Sequence, residues 1–397
     1  MSSAEPIPPS VDPLASPLPA SGASPAESLA SDAGAEPFID LDIFLRMAIA
    51  QGVSDIHLRV GQSPVMRKDG EMTRTKLPPL SEQAILQFTK GIVSERILPR
   101  MKNKMDFDFS FQLENVCRFR VNLFYEMGHL GLVLRLIPMK IPTLDELGHP
   151  PVIARFADLH KGLVLVTGPT GSGKSTTLAA LLNSINHHQC RHIVTLEDPV
   201  EYMYQSERSV VTQRQLGLDT DSFPNGIKYA LRQDPDVLLI GEMRDRETIM
   251  AALHAAETGH LVFSTLHTTD SVQTINRIVN MFEPHEREPI RHQLAGVLQG
   301  TVSQRLVKKA EGRGRMAVAE IMVVSPAIRD YIMRDEMGEI YQLLQNDEYE
   351  GACSLNSSLY RACRNNFITP EDALATSENP PELQQMLRGA FHGTAGY

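Results

Sequence analysis

Residues 162–177 read GLVLVTGPTGSGKSTT, and this stretch decides the fold. Within it, Gly168-Pro169-Thr170-Gly171-Ser172-Gly173-Lys174-Ser175 fits the pattern G-x-x-x-x-G-K-[ST] at every position. An apolar run from Leu163 to Val166 leads in as a buried strand, and Thr176 to Ile185 leads out as a helix. The pattern has a physical reason. Glycines let successive backbone N–H groups curl around phosphate oxygens, Lys174 reaches the β- and γ-phosphates, and Ser175 ligates Mg2+. Residues Gly168 through Thr176 are therefore the expected nucleotide-binding set, with ATP and Mg2+ as cofactors.

Working outward, apolar strands alternate with helical stretches. GLVLVTG is followed by STTLAALLNSINHH (175–188), HIVTLED (192–198), NGIKYALRQ (225–233), DVLLIGE (236–242), RETIMAALHAAETG (246–259) and HLVFSTL (260–266). This alternation predicts an α/β fold, a mostly parallel sheet with helices on both faces. The core is expected over 143–312. A further strand (MAVAEIMVV, 316–324) and helical stretches follow in a C-terminal region over 313–397.

Upstream the pattern differs. IDLDIFLRMAIAQG places Ile39, Ile43, Phe44, Met47 and Ala48 at helical spacing, closed by Gly52. SDIHLRV (54–60) alternates as a half-buried strand, a helix is expected from Ser81 to about Ile97, and DFDFSFQL, RFRVNLFYE and LGLVLRLI read as successive strands. Residues 38–137 are thus expected to form a small α+β domain on an antiparallel sheet. Pro138-Met139-Lys140-Ile141-Pro142 is the expected hinge, because two prolines restrict helix and strand alike.

Composition sets the outer bounds. The chain has 397 residues and a formal charge of -10, from 48 acidic and 38 basic side chains. An acid surplus argues against a general nucleic-acid binder, which needs Lys and Arg to neutralise phosphates. No apolar run approaches the roughly 20 residues that span a bilayer. Cys117, Cys190, Cys353 and Cys363 form no C-x-x-C pair, which suits a reducing compartment and excludes a four-cysteine zinc site. The first 37 residues hold eight Pro, eight Ser and eight Ala, too little apolar surface to offset ordering entropy, so the sequence predicts disorder there. That stretch also lacks the positive start of a targeting peptide, since the first basic residue is Arg46.

Hydrolysis requires a group that orients and deprotonates water. Glu197-Asp198-Pro199-Val200-Glu201 follows one predicted strand and Gly241-Glu242 another, both at carboxyl ends, where ligands of parallel sheets bind. Gly241 stands where an Asp would usually ligate the metal. Glu242 is therefore expected to hold Mg2+ through water, and Glu201 to be the base. His267, at the end of a third strand, is placed to donate to the γ-phosphate; His260 lies at that strand's other end.

Four segments taken together, GPTGSGKSTT, LEDPVEY, GEMRDRET and TGHLVFSTLHTTDS, resemble the hexameric secretion ATPases that power type IV pili and type II secretion, in the same order and spacing. The resemblance extends over 38 to about 380, and it is strongest to the retraction ATPases, the PilT/PilU group. Assembly motors usually carry a larger N-terminal domain, for which the 37-residue preface is too short and too polar, and a four-cysteine insertion, for which this chain has no C-x-x-C pair. The retraction motif AIRNLIRE is matched at its opening by Ala327-Ile328-Arg329-Asp330-Tyr331-Ile332-Met333-Arg334. GEMRD and STLHTTD look more like PilT, whereas EGRGRMAVAEIM and ITPEDAL look more like PilU.

The resemblance implies a PAS-like first domain, a RecA-like second domain and a ring of six chains. It makes Glu201 the catalytic glutamate, Glu242 the metal-holding one and His267 the histidine near nucleotide. Arg118, Arg120 and Arg135 fall where a neighbouring chain's first domain would bring positive charge to the phosphates. The implied activity is ATP-driven pilus retraction and twitching motility. It would be exerted from the cytoplasm on an inner-membrane platform protein, at the base of the pilus machine. The alternatives are an accessory PilU-like ring supporting a paralogous retraction ATPase, or an assembly or type II secretion ATPase. A nucleic-acid translocase on the same fold is opposed by the nearly neutral body and the lack of an aromatic-basic stripe.

Overall fold

A computed structural model describes residues 40–389, apart from 69, 96, 102–103, 115, 138–139 and 346–350. The expected disorder of residues 1–37 lies outside the described residues, as does part of the 138–142 hinge. The chain divides between Ile137 and Pro138 into two compact units.

The first unit opens with α1 (Leu41–Ala50), capped where the Asp40 carboxylate accepts from the N–H of Ile43. Its buried face is Phe44, Leu45 and Ala48. Ile43 and Met47, read as part of the core stripe, are 62% and 39% exposed. The apolar arc of this helix is wider than its contact with the core, so one side of it meets solvent. Strands β1 (Asp55–Arg59), β2 (Val65–Lys68) and β3 (Glu71–Arg74) form a meander. Helix α2 (Glu82–Ile92) starts on the hydroxyl of Ser81, which accepts from the N–H of Ala84. It ends five residues before the expected Ile97, with Val93 extended. Gly91, Ile92 and Val93 are successive poor helix formers, and only the short α3 (Leu98–Met101) follows.

Strands β4 (Asp106–Leu113), β5 (Cys117–Glu126) and β6 (His129–Ile137) complete a six-stranded antiparallel sheet in the order β3-β2-β1-β6-β5-β4. Period-2 alternation sends Phe107, Phe109, Phe119, Val121, Leu123, Leu132 and Leu134 into the core, while Arg118, Arg120 and Arg135 occupy the other face.

The second unit begins with α4 (Pro151–Arg155) and the wholly buried β7 (Gly162–Thr167). There follow α5 (Lys174–His188), β8 (His192–Glu197), β9 (Val210–Gln215), α6 (Phe223–Ala230), β10 (Val237–Ile240), α7 (Arg246–Glu257), β11 (Leu261–Leu266), α8 (Ser271–Asn280) and α9 (Arg287–Val297). Then come β12 (Leu298–Lys308), β13 (Arg315–Val323), α10 (Pro326–Arg334), α11 (Met337–Gln345), α12 (Leu355–Arg364), α13 (Pro370–Thr376) and α14 (Pro380–Leu387). The seven strands run β13-β12-β7-β11-β10-β8-β9, all parallel except the antiparallel edge strand β13. Apolar clusters cover both faces, one including Leu165, Leu196, Ile240 and Leu253, the other Val164, Leu181, Ile185 and Phe263.

In the second unit, two strands escape the pattern reading. The sequence of β12, LQGTVSQRLVK, mixes Gln, Ser and Arg into its apolar run, yet Val302, Ser303 and Gln304 are all buried. Strand β9, VVTQRQ, is polar because it is the other edge of the sheet. Strand β13, expected to open the C-terminal region, belongs to the core sheet.

Candidate functional site

Because β7, β11, β10 and β8 are parallel neighbours, their carboxyl ends form one rim, and each delivers one of the sequence-predicted segments to it. In sheet order these are the glycine loop after β7, His267 after β11, Glu242 after β10, and Glu197 to Glu201 after β8.

The loop adopts the backbone its glycines permit. Gly168, Gly171 and Gly173 have φ of 138°, 79° and 91°, all in the region that disfavours a Cβ. Gly173 is the N-cap of α5 and gives it no side-chain cap. The first N–H groups of a 15-residue helix therefore face the loop without a side-chain partner. The hydroxyl of Ser172 is buried and unpartnered. A cradle with free N–H groups and an orphan hydroxyl fits a phosphate group. Lys174 donates from Nζ to the carbonyls of Gly168 (2.8 Å) and Pro169 (3.0 Å). Burial lowers its pKa, while Glu201 and Glu242 pull in the opposite direction. Both glutamates thus lie within electrostatic reach of the loop lysine.

Glu242 and His267 are brought together, with Nε2 of His267 3.6 Å from one carboxylate oxygen of Glu242 and Arg244 Nε 2.6 Å from the other. Glu242 is 17% exposed and His267 48%, so the pair sits at the rim rather than inside it. Glu201 is exposed on the loop after β8. Its position depends on Glu197, a buried carboxylate to which the motif reading assigns no role. Glu197 accepts from the N–H of Glu201 (3.2 Å), the hydroxyl of Thr195 (2.7 Å) and Nε2 of Gln213 (3.3 Å). Burial raises its pKa despite these donors, and the Glu201 charge adds to the rise. A second tie reaches the same loop from α5, where Thr176 Oγ1 and the Tyr202 hydroxyl are 2.9 Å apart. The signal for Glu197 is its place at the strand end of LEDPVEY.

No group of three or more His, Cys, Asp or Glu side chains among the described residues is arranged to hold a metal. Mg2+ commonly keeps several waters and takes only one or two protein oxygens beside the phosphates; the Ser175 hydroxyl would supply one, and the Glu242 carboxylate would hold a metal-bound water. His260 is structural. Its carbonyl accepts from Gly162, and its Nδ1 lies 2.9 Å from the carbonyl of Ala255, at the far end of β11. A depression of about 230 Å3 lined by Lys161, Glu257, His292, Gln293 and Gln299 also lies at that far end, away from the rim.

The three arginines sit on the polar sheet face of the first unit. Arg120 is directly across from Arg135, and Arg118 donates to the Ser110 hydroxyl. Arg135 donates from Nε to Asp55 at 2.7 Å, and Arg67 is 3.7 Å from the same carboxylate. Burial opposes ionisation of Asp55, but bonds from Arg135 and Ser54 and the charge of Arg67 outweigh it and hold its pKa below the usual value.

The chain is similar to known proteins in sequence and in fold. The chain is 43% identical over 342 residues to the type IV pilus retractation ATPase PilT of Pseudomonas aeruginosa, covering 86% of this chain and 99% of that protein. The type IV pilus ATPase PilU of the same organism is 36% identical over 350 residues, covering 88% of this chain and 92% of PilU. A crystal structure of the pilus retraction motor PilT with bound ADP superposes with a TM-score of 0.82 at 42% identity, covering 88% of this chain and all of that one. Residues 29–360 match the family described as Type II/IV secretion system protein. With that match and these identities, the chain belongs to the Type II/IV secretion system protein family.

Proposed function

We propose that this chain is an ATP-hydrolysing motor that powers type IV pilus retraction, working as a homohexameric ring on an inner-membrane platform protein from the cytoplasmic side. The observation that carries the reading is the rim itself, where the glycine loop, Lys174, Glu201, Glu242 and His267 meet on four adjacent strand ends. The 43% identity to a retraction ATPase across nearly its whole length supports the biological role.

The roles follow from chemistry. The N–H groups of residues 171–176 and the α5 dipole would take the β- and γ-phosphates, and Lys174 would exchange its two loop carbonyls for phosphate oxygens. Glu201 would accept the proton of the attacking water, held at the rim by Glu197 through its own N–H. His267 would donate toward the γ-phosphate beside Glu242. Mg2+, when bound, would neutralise charge developing on the phosphates, with Ser175 as a ligand and Glu242 holding its water. Arg118, Arg120 and Arg135 would add positive charge from a neighbouring chain.

The test is the Mg-ATPase rate against protein concentration, for wild type and Glu201→Gln. Turnover per chain that rises on association, together with a variant that binds ATP but does not turn it over, supports a shared site and a motor. The second reading, an accessory PilU-like ring supporting a paralogous retraction ATPase, is favoured by the departure of residues 327–334 from AIRNLIRE. It predicts nucleotide binding without turnover at any concentration of the chain alone.

A further inference from the structure

The floor of the glycine loop is built by a residue outside all four motifs, Gln304 of β12. Its Nε2 donates to the carbonyl of Ser172 at 2.7 Å, and its Oε1 accepts from the Thr177 hydroxyl at 2.7 Å. His149 Nε2 lies 2.8 Å from the same hydroxyl. All three side chains are buried or nearly so.

The polarity of this chain is fixed. The Ser172 carbonyl can only accept, so the amide nitrogen of Gln304 faces it and the amide oxygen faces Thr177. Thr177 must then spend its single proton on Gln304 and accept from His149. His149 therefore carries its proton on Nε2, and burial pushes its pKa down to about 4, so it stays neutral near pH 7. Every member has one role, and no alternative orientation satisfies all of them.

The same residue, by its backbone and its side chain, closes the loop from below. A Cβ on Gly168 would lie 2.3 Å from the Gln304 carbonyl oxygen, and one on Gly173 would lie 2.7 Å from Gln304 Nε2. Two of the three loop glycines are thus imposed by β12 as well as by phosphate. Lys174 spends two of its three Nζ protons on loop carbonyls and would redirect them toward a phosphate, whereas the Gln304 bonds do not compete with one.

We propose that Gln304 is a positioning residue for the nucleotide site: by holding the Ser172 carbonyl down onto β12, it keeps the loop's N–H groups turned toward the phosphates while Lys174 changes partners. Relayed through Thr177 and His149, this ties the loop to the segment that enters the second unit. The inference rests on the nucleotide-loop reading of residues 168–176, and the test separates the two.

The variant is Gln304→Glu in the full-length chain, read by fluorescent ADP titration from pH 6 to 9. Ionised, the introduced carboxylate sets an acceptor against the Ser172 carbonyl; protonated, it can donate there again. Affinity should fall about ten- to a hundred-fold at the alkaline end and recover on acidification, while wild type shows no such recovery. Gln304→Met, which keeps the volume without either bond, should lose affinity by about tenfold with no added pH dependence and an unchanged circular dichroism spectrum. Lys174→Ala is the control. If it binds ADP like wild type, the nucleotide-loop reading fails. If Lys174→Ala abolishes binding but Gln304→Met, folded, binds like wild type, the role of Gln304 is overturned.

Discussion

Glu320 gives the sharpest test of the electrostatics of the second unit. It lies in β13 opposite Ser303 and is 7% exposed. Its carboxylate accepts from the N–H of Ser271 at 2.8 Å, in the first turn of α8, while the Ser271 hydroxyl accepts from Thr301. Burial raises its pKa from an ordinary 4.5 to about 7, with Asp270 and Glu378 adding to the rise and the bonds from Ser271 opposing it. Between those two values the folded chain keeps a proton that the unfolded chain has released, so this contribution is fully present below pH 4.5 and is lost as pH rises toward 7. At about 1.4 kcal/mol per pH unit, the loss sums to about 3 kcal/mol. Glu320→Gln keeps an acceptor for Ser271 and cannot ionise. Any cost of its amide hydrogens is independent of pH, so the slope is the observable. Urea unfolding of wild type and variant should give a stability difference that moves by about 2.5 kcal/mol in the variant's favour between about pH 5 and 8. A difference that stays constant across that range would refute the reasoning.

The loop and the first-unit sheet yield two further tests. Gly171 and Gly173 share positive φ, but a Cβ on Gly171 meets nothing within 4 Å, whereas one on Gly173 meets Gln304. Gly171→Ala should cost about 1–2 kcal/mol of backbone strain, and Gly173→Ala should cost more and weaken ADP binding further. Equal effects in thermal melts and titrations would sink the claim that β12 dictates Gly173. Arg135→Ala removes the nearest partner of the buried Asp55 carboxylate. Because the guanidinium is largely exposed, the expected loss at neutral pH is only about 1 kcal/mol. Asp55 is held below its usual pKa, so its pairing contributes above the unfolded value of 3.8 and disappears as pH falls through the folded one. A loss that persists unchanged under acid conditions would contradict this pairing.

Much of the candidate site was legible in the chain because it is local. The glycine spacing, the adjoining lysine and the strand-helix flanks of residues 162–188 lie in one continuous segment, and backbone conformation follows from residue type there. The acidic and histidine segments could be placed at strand ends because parallel strands all point one way. Their meeting could not be read. Glu242 and His267 approach to 3.6 Å because β10 pairs with β11 in a register that only the folded sheet sets. Ile43 and Met47 show the same limit in reverse, since a helix's apolar arc says nothing of which part of it the core covers.

What the sequence by itself determined was the α/β class and a strand, glycine-loop and helix unit with Lys174 at the start of the helix, all consequences of short-range sterics and hydrophobic period. Tertiary structure alone decided that β12 inserts beside β7, although its polar residues disguise it as loop. Those polar residues are buried because each finds its partner across the fold: Ser303 with Thr167, and Gln304 with Ser172 and Thr177. A polar side chain can enter a core only where a distant residue completes its hydrogen bonds, and which residue that is depends on the sheet order rather than on the neighbours in the chain.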